Sequence, residues 1–497
     1  MKSPITETAS EELTALTISQ LTSALAKGEF SSSELTEAYL SRISEIDDAL
    51  GAFLTLTPEI AKDAANRADN ALRSENAHPL CGIPTAFKDN ICTKGIRTTC
   101  ASRMLENFVP PYSATVACNL ESCGAVMLGK LNMDEFGMGS SCENSAFKLT
   151  VNPHAPDRVP GGSSGGCAAA VAAHELPYAI GTDTGGSIRQ PAAFCGVVGI
   201  KPTYGRISRY GLVAFASSLD QIGVICRSAI DSATVLHAIS APDGMDATHR
   251  ASENSLRPLP TAEELIQGGD IKGLRVGIAP EFFGSDITRE IRDALNDAVK
   301  TYISLGAEIT DVSIPHLSHS LPAYYVISSA EASSNLARYD GVRYGHRAQA
   351  DFSSITELYK ASRSEGFGDE VKRRIILGTF VLSHGYIDSY YKNALQIREL
   401  IKDEFRAAFE KCDFLLAPVT PTTAYKLGEN KRDPVHSYSG DLYTVPASLA
   451  GLPAASIPCG KDKNGLPIGM QLICRPFDEA TLLRAASAFE AVNLRDF

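Results

Sequence analysis

The amino-acid sequence predicts an α/β fold built as one large domain. The clearest evidence is a strand–helix–strand pattern over residues 274–279, 288–305 and 307–314, because such a unit implies that at least some strands pair in parallel. Short apolar runs also alternate with helical patterns elsewhere in the chain. No segment rich in Pro, Gly and Ser divides the 497 residues, so one domain is favoured over two.

The N-terminal 75 residues are predicted to be helical. Ser31 and Glu34 have the spacing of a capping box, and a periodic apolar run over residues 35–46 follows them. A second helical pattern covers residues 58–72. Strand-like apolar runs begin only after residue 80, where the sequence pattern changes from helical periodicity to short strands.

The remaining elements are predicted from short apolar runs and from longer amphipathic patterns. A long amphipathic helix is expected over residues 370–410, with a break near Gly385, since glycine weakens a helix interior. The other predicted elements are strands at 82–87, 124–129, 444–449, 454–458 and 468–473, and helices near 114–123 and over 478–492.

The composition limits the partners that the chain can have. Its net charge is −12. Proteins that bind phosphate backbones need clustered Lys and Arg, so this chain is a poor candidate for binding nucleic acid without a partner subunit. Its 12 cysteines include no C-x-x-C pair, which excludes the common zinc and thioredoxin patterns. The first residues lack the features of a signal or transit peptide, and no run of 18 apolar residues occurs. We therefore expect a soluble, cytoplasmic protein that has no contact with membranes.

Residues 161–186 are unusually rich in glycine, with seven glycines in GGSSGGCAAAVAAHELPYAIGTDTGG. Such density indicates close backbone approach or unusual dihedral angles. A pair of surface turns would not embed the apolar runs CAAAVAA and YAI, which are typical of a buried helix and a buried strand. The segment is therefore a candidate functional site.

Three glycine-rich chemistries are compatible with this segment. A phosphate-binding loop requires a Lys after the second glycine, and none is present. The pattern G-x-S-x-G around Ser163 matches a nucleophile elbow. The proline-rich residues before it, however, disfavour the strand that must precede such an elbow. Thr184, Gly185 and Gly186 instead offer consecutive backbone N–H groups ahead of Ser187, as an oxyanion hole requires. Ser187 is then the candidate nucleophile.

A serine nucleophile needs a base. His154 lies in the proline-rich loop, and His174 ends an alanine-rich helix where a structural role is more common. Lys88 closes the apolar run at 82–87, and burial would lower its pKa enough for it to act as a general base. On the residues alone, a lysine whose amine reaches solvent at the end of a strand remains the simpler interpretation.

Taken together, Lys88, the GGSSGG loop at 161–166 and GTDTGGSIR at 181–189 resemble the amidase signature family. The resemblance implies one α/β domain in which helices cover both faces of a mixed sheet, with a catalytic core at 81–240 and the rest of the sheet in 241–497. It implies Ser187 as the nucleophile, Ser163 as a bridging serine that follows a cis peptide bond, and Lys88 as the base.

Within that family, the chain is similar to the glutaminase subunits of tRNA-dependent amidotransferases. The similarity lies in residues 129–136, 143–147, 371–375, 377–380 and 446–458. It implies a glutamine pocket in which Arg374 pairs with the α-carboxylate, Asp441 holds the α-ammonium and Tyr325 lines the site. Without the resemblance, Arg374 would be assigned to a solvated helix face and Asp441 to a loop.

The resemblance also implies partners and cofactors. A larger, tRNA-binding B subunit and a small C subunit would complete a heterotrimer that converts Glu-tRNA(Gln) to Gln-tRNA(Gln). ATP and Mg²⁺ would be used by the assembled complex, and this chain would hold neither a cofactor nor a metal. The alternative is a stand-alone amidase that acts on a small or hydrophobic amide. Gly137, Cys142 and Cys167 depart from the usual family pattern, and the two cysteines would lie near the site.

Overall fold

A single mixed β-sheet forms the centre of the molecule in the computed structural model, which describes residues 12–74, 76–250, 258–268, 270–429 and 438–493. The sheet has eleven strands within these residues. They are β1 (Phe53–Leu56), β2 (Pro84–Lys88), β3 (Val126–Leu131), β4 (Tyr178–Asp183), β5 (Val198–Lys201), β6 (Gln221–Cys226), β7 (Arg275–Ile278), β8 (Glu308–Asp311), β9 (Phe414–Pro418), β10 (Ala454–Lys461) and β11 (Pro467–Cys474).

The strands follow the order β1-β3-β2-β4-β6-β5-β10-β11-β9-β7-β8 across the sheet. Strand β2 pairs in parallel with β3 and β4, and β7 pairs in parallel with β8 and β9. The remaining pairs are antiparallel. The sheet is therefore mixed, with a parallel group on either side of an antiparallel middle.

Helices cover both faces of this sheet. Along β9, Phe414 and Leu416 belong to one hydrophobic core, whereas Leu415 and Ala417 belong to a second. Successive side chains of a strand point to opposite faces, so the two cores lie on opposite sides of the sheet. The predicted α/β class, with one domain and a mixed sheet between helices, is confirmed.

Fifteen α-helices have both bounds within the described residues. They are α1 (Ile18–Lys27), α2 (Ser32–Leu50), α3 (Pro58–Ala71), α4 (Thr115–Ser122), α5 (Gly165–Ala172), α6 (Arg189–Cys195), α7 (Ala229–Ile239), α8 (Ala262–Gly268), α9 (Arg289–Ser304), α10 (Ser320–Asn335), α11 (Ile355–Gly366), α12 (Asp369–Val381), α13 (Asn393–Lys411), α14 (Val445–Leu449) and α15 (Glu479–Asn493). In the described parts of the chain, none of the helices is both long and apolar enough to cross a membrane.

Several predicted elements are confirmed with their causes. Ser31 caps α2 in a capping box with Glu34, whose carboxylate accepts the backbone N–H of Ser31 at 2.7 Å. The strand–helix–strand unit forms β7, α9 and β8, with parallel strands. The long C-terminal helix is broken as expected: Gly385 has a φ of 88°, and a π-helical turn over Ile387–Lys392 joins α12 to α13.

Two predictions are wrong. The sequence predicts a strand over residues 444–449, but Val445–Leu449 is helical, because Pro446 fits the first turn of a helix and a short buried run has no decisive periodicity. The N-terminal 75 residues are not all helical, since Phe53–Leu56 forms the edge strand β1 against β3. Pairing with β3, which comes from more than 70 residues away, decides the structure of this four-residue run.

Candidate active site

The candidate site lies where three parallel strands end. Strands β3, β2 and β4 run in the same direction, so the residues that follow them meet at one edge of the sheet. Lys88 is the last residue of β2, and Ser187 lies in the turn after β4. The carboxyl ends of parallel strands are a frequent place for sites in α/β proteins. The loop that ends in Ser163 enters the same region before α5 begins.

Lys88 is fully buried, and its amine lies within hydrogen-bond distance of oxygen atoms of the serine loop and of β4. Its Nζ lies 2.7 Å from Ser163 Oγ, 2.8 Å from Ser164 Oγ and 3.4 Å from the carbonyl oxygen of Thr182. Burial lowers the pKa of Lys88 to about 8, although the nearby Cys167 and Asp134 oppose this effect. The solvent-exposed lysine that the sequence left open is thereby excluded.

The hydrogen bonds around Lys88 allow the lone pair of a neutral amine to face Ser163. The Ser164 hydroxyl donates to the carbonyl oxygen of Thr182 at 3.0 Å, so toward Lys88 it acts as an acceptor. A neutral amine has two N–H groups and one lone pair. If the two N–H groups point to Ser164 and to the Thr182 carbonyl, the lone pair faces the hydroxyl of Ser163. This arrangement lets Ser163 pass a proton to Lys88.

Ser163 is held by its backbone. The peptide bond between Gly162 and Ser163 is cis, as the resemblance implies. The carbonyl oxygen of Ser163 accepts the backbone N–H of Asp134 at 3.2 Å, and the N–H of Gly162 donates to Gln190 Oε1 at 2.8 Å. No strand leads directly into this loop: in the described stretch 76–250, the strand before it, β3, already ends at Leu131. The nucleophile-elbow interpretation of G-x-S-x-G is therefore wrong.

Gly162 has no room for a side chain. A Cβ at this position would lie 2.0 Å from Asp134 Oδ2 and 2.6 Å from the backbone nitrogen of Ser141. Gly162→Ala is therefore expected to reduce the free energy of unfolding by about 1–3 kcal/mol, which is typical of overpacking. Urea denaturation measures this loss. Gly460→Ala is the control, because Gly460 lies outside the left-handed φ region and a Cβ there comes no closer than 3.2 Å to another atom, the Cβ of Ala294; equal losses in the two variants would contradict the expectation.

Ser187 lies at the start of α6, in a turn that a buried ion pair fixes. Asp183 contacts Arg189 at 2.9 Å and also accepts the backbone N–H of Ile188. Gly186 has a φ of 144°, a backbone conformation that favours glycine. In the described residues, the backbone N–H groups of Gly185, Gly186 and Ser187 donate to no protein acceptor. These N–H groups are available to an oxyanion, which is the role that the sequence analysis assigns to Gly185 and Gly186.

The structure brings Ser163 and Lys88 into direct contact, and it brings Ser187 beside them. Ser187 is 7% exposed, and its carbonyl oxygen accepts the backbone N–H of Ser164 at 3.0 Å. Within the described residues, its hydroxyl makes no hydrogen bond with Ser163. Catalytic hydrogen bonds are often formed only when substrate is bound, and the relay requires this contact to close. The backbone N–H of Thr184, the third predicted donor, also donates to no protein acceptor in the described residues, and its side chain donates to Asp220 Oδ1 at 2.7 Å.

A narrow cavity joins the nucleophile to the predicted glutamine pocket. Its lining includes Gly185, Ser187, Arg374 and Asp441. Arg374 is 3% exposed, and its Nη1 is buried with no hydrogen-bond acceptor among the described residues. Asp441 accepts hydrogen bonds from Ser140 Oγ, at 2.8 Å, and from Tyr325, at 2.8 Å. A cation and an anion therefore line one cavity beside a serine hydroxyl.

Tyr325 has a different place from the one expected. The resemblance implies that it lines the site, but the cavity is lined by its neighbour Tyr324. Tyr325 lies behind the charged groups, since its hydroxyl donates to Asp441 and its ring centroid is 4.4 Å from the guanidinium carbon of Arg374. Ser140 and Tyr324 could also not be identified from the sequence, because a hydroxyl residue has no recognisable sequence pattern when its neighbours in space are unknown.

The remaining candidates have structural roles. Cys142 and Cys167 are fully buried, and burial raises the pKa of both thiols, to about 12 for Cys167. A buried thiol that stays protonated is a poor nucleophile and resists oxidation. The ring of His154 contacts the carbonyl oxygen of Cys195 at 2.9 Å. Burial lowers the pKa of His174 to about 4, and neither histidine lines the cavity.

Comparison with known proteins decides the family. The profile of the amidase family matches residues 34–483. The chain belongs to the amidase family. A relative from Caldanaerobacter subterraneus subsp. tengcongensis, the A subunit of glutamyl-tRNA(Gln) amidotransferase, is 55% identical over 479 residues, which cover 96% of each chain.

Solved structures of the family have the same fold. The crystal structure of the A subunit of glutamyl-tRNA(Gln) amidotransferase from Thermotoga maritima is 41% identical, with a TM-score of 0.79 over 97% of this chain and 95% of that one. The peptide amidase from Stenotrophomonas maltophilia is 28% identical, with a TM-score of 0.80 over 96% of both chains. The family thus includes enzymes that act on different amides, and the pocket must distinguish them.

Proposed function

We propose that the chain is the glutamine-hydrolysing subunit of a glutamyl-tRNA(Gln) amidotransferase. The observation that carries the proposal is the cavity in which Ser187 lies beside Arg374 and Asp441. Free glutamine has an α-carboxylate and an α-ammonium at one end and the reacting amide at the other. A site with one cation, one anion and a nucleophile matches all three groups. The names of the relatives support the same assignment.

Ser187 is proposed to attack the carboxamide carbon of glutamine. Ser163 takes the proton of the Ser187 hydroxyl and passes its own proton to neutral Lys88, which lies 2.7 Å away. Backbone N–H groups of Thr184, Gly185 and Gly186 stabilise the negative charge on the amide oxygen. The proton then returns through Ser163 to the departing ammonia. A glutamyl ester of Ser187 remains, and water hydrolyses it to glutamate along the same relay.

The released ammonia is proposed to serve a partner. A larger B subunit would bind and activate Glu-tRNA(Gln), using ATP and Mg²⁺, and a small C subunit would complete a heterotrimer. The net charge of −12 supports this division of work, because an acidic chain does not attract a phosphate backbone. No cofactor is assigned to this chain, whose own residues supply the nucleophile, the relay and the pocket.

Arg374 distinguishes this proposal from a stand-alone amidase for uncharged amides. Arg374→Ala is expected to raise the KM for glutamine about 10- to 100-fold, since hydrogen bonds to charged groups contribute about 1.5–3 kcal/mol. The variant should hydrolyse 4-aminobutanamide, which is glutamine without its carboxylate, as well as the unchanged protein does. Steady-state ammonia release measures both substrates.

The matched control is Lys372→Ala, which removes a partly exposed cation from the same helix, α12. It should leave the KM for glutamine unchanged. If Arg374→Ala affected both substrates equally, the α-carboxylate would not be bound by Arg374. The assignment of a zwitterionic substrate would then be withdrawn in favour of an uncharged amide.

A further inference from the structure

Arg374 and Asp441 line the same cavity with opposite charges, yet they form no ion pair with each other in the described residues. In a nearly dry cavity, such a pair would be strongly attracted. If they paired, each would satisfy the other, and neither would be available to a zwitterionic substrate. Some part of the structure must therefore hold them apart.

Glu370 is the group that holds Arg374. It lies one helical turn before Arg374 in α12, and its Oε1 accepts the Nε–H of Arg374 at 2.7 Å. The same Oε1 accepts the hydroxyl of Tyr438 at 2.9 Å. Its other oxygen, Oε2, accepts from Arg373. With three donors, the Glu370 carboxylate is fixed in place, and it ties Arg374 by Nε and not by the nitrogens at the tip.

Two aromatic rings limit the remaining movement of Arg374. The guanidinium carbon lies 4.4 Å from the ring centroid of Tyr325 and 5.0 Å from that of Tyr438, which is the range of cation–π contacts. The two rings stack on each other with their centroids 4.1 Å apart. A guanidinium that is tied at Nε and packed on two rings keeps its Nη atoms in one direction, and Nη1 has no acceptor among the described residues.

Asp441 is held in the same manner on its side of the cavity. Ser140 and Tyr325 donate to its two oxygens. Tyr325 thus contacts both charged groups, through its hydroxyl on Asp441 and through its ring on Arg374. Arg374 and Asp441 are thus each fixed by their neighbours. A continuous set of contacts runs from Glu370 to Arg374, from Arg374 to Tyr325 and from Tyr325 to Asp441.

We propose that Glu370, supported by Tyr438, is a positioning residue that keeps Arg374 turned away from Asp441 and so keeps the pocket open to an α-amino acid. The inference rests on the proposed function and concerns its substrate selectivity. Without Glu370, Arg374 pairs with Asp441, and the substrate must compete with this pair for each charge. The residue affects binding of the substrate and leaves the reacting atoms untouched.

The test uses glutaramic acid, which is glutamine without its α-ammonium and therefore needs Arg374 but not Asp441. Glu370→Ala is expected to raise the KM for glutaramic acid about tenfold or more, with kcat changed less than about twofold. Adding Asp441→Asn to Glu370→Ala removes the competing anion, so the KM should fall back toward that of the unchanged protein. A purely structural role for Glu370 would produce no such rescue.

Controls separate the failures of the two proposals. Asp369→Ala removes a neighbouring but exposed carboxylate from the same helix and should not change the KM. Glu370→Gln keeps an acceptor for the Nε–H of Arg374 and should give an intermediate KM, even if Glu370→Ala fails to fold. Absence of glutamine hydrolysis by the unchanged protein, in the complex in which it is isolated, would overturn the proposed function. An unchanged KM in Glu370→Ala and Glu370→Gln, or no rescue by Asp441→Asn, would overturn the positioning role alone.

Discussion

Replacement of Ser187 by alanine is expected to reduce the rate of glutamine hydrolysis on the order of 10⁴- to 10⁶-fold. The variant loses the atom that forms the covalent ester, and what remains is the binding site and the oxyanion donors, which alone give modest rates. Ammonia release at saturating glutamine measures the effect. Ser187 is almost fully buried and its hydroxyl makes no hydrogen bond in the described residues, so its loss should hardly alter stability.

The size of this effect distinguishes Ser187 from Ser164, which also lies in the site. Ser164→Ala removes an acceptor for Lys88 but no proton from the relay, so it should lower the rate far less than Ser187→Ala does. A Ser187→Ala variant that retained more than about one hundredth of the original rate would contradict the role of Ser187, because loss of a covalent nucleophile is far more costly. Another hydroxyl would then have to be the nucleophile.

Lys88→Met is expected to lower kcat about 10²- to 10⁴-fold, which is the usual contribution of a general base. Methionine has a similar length and fills the same apolar space without an amine. Lys94→Met, at an exposed position on the other side of the turn, is the matched control and should retain full activity. A rate within about tenfold of the original in Lys88→Met would exclude the amine as the base.

The pH dependence follows from the same residue. Burial lowers the pKa of Lys88 to about 8, and only the neutral amine accepts a proton. The kcat/KM for glutaramic acid, which has no titrating amine, should therefore rise about tenfold per pH unit below this pKa and level off above it. A profile that stays flat through pH 8 would show that the group acting as the base is not this lysine.

The chemistry of the site was predictable because it is carried by residues close together in sequence. The loop at 161–166 and the turn at 181–189 contain both serines and the oxyanion donors, and their glycines mark backbone that must approach other groups closely. Lys88 was distinguishable only through the resemblance. Its burial depends on β2 lying between β3 and β4, and strand order cannot be obtained from one strand's composition.

The residues that position Arg374 in the pocket could not be identified from the sequence. Glu370 and Tyr438 look like ordinary surface residues in sequence, and their role arises from a contact between α12 and a residue 68 positions later in the chain. The helix at Val445–Leu449, for which the sequence predicts a strand, has a related cause, since a short buried run takes the structure that its neighbours impose. Long-range contacts, and not local patterns, determine these features.

The most direct measurement of the central claim is the identification of the covalent intermediate. The protein is mixed with excess glutamine, quenched in acid and digested, and its peptides are mapped by mass spectrometry. The account predicts a glutamyl ester on Ser187 in the original protein and no ester in Ser187→Ala or Lys88→Met. An ester on Ser163, on Ser164 or on a cysteine, or hydrolysis of glutamine without any ester, would contradict it.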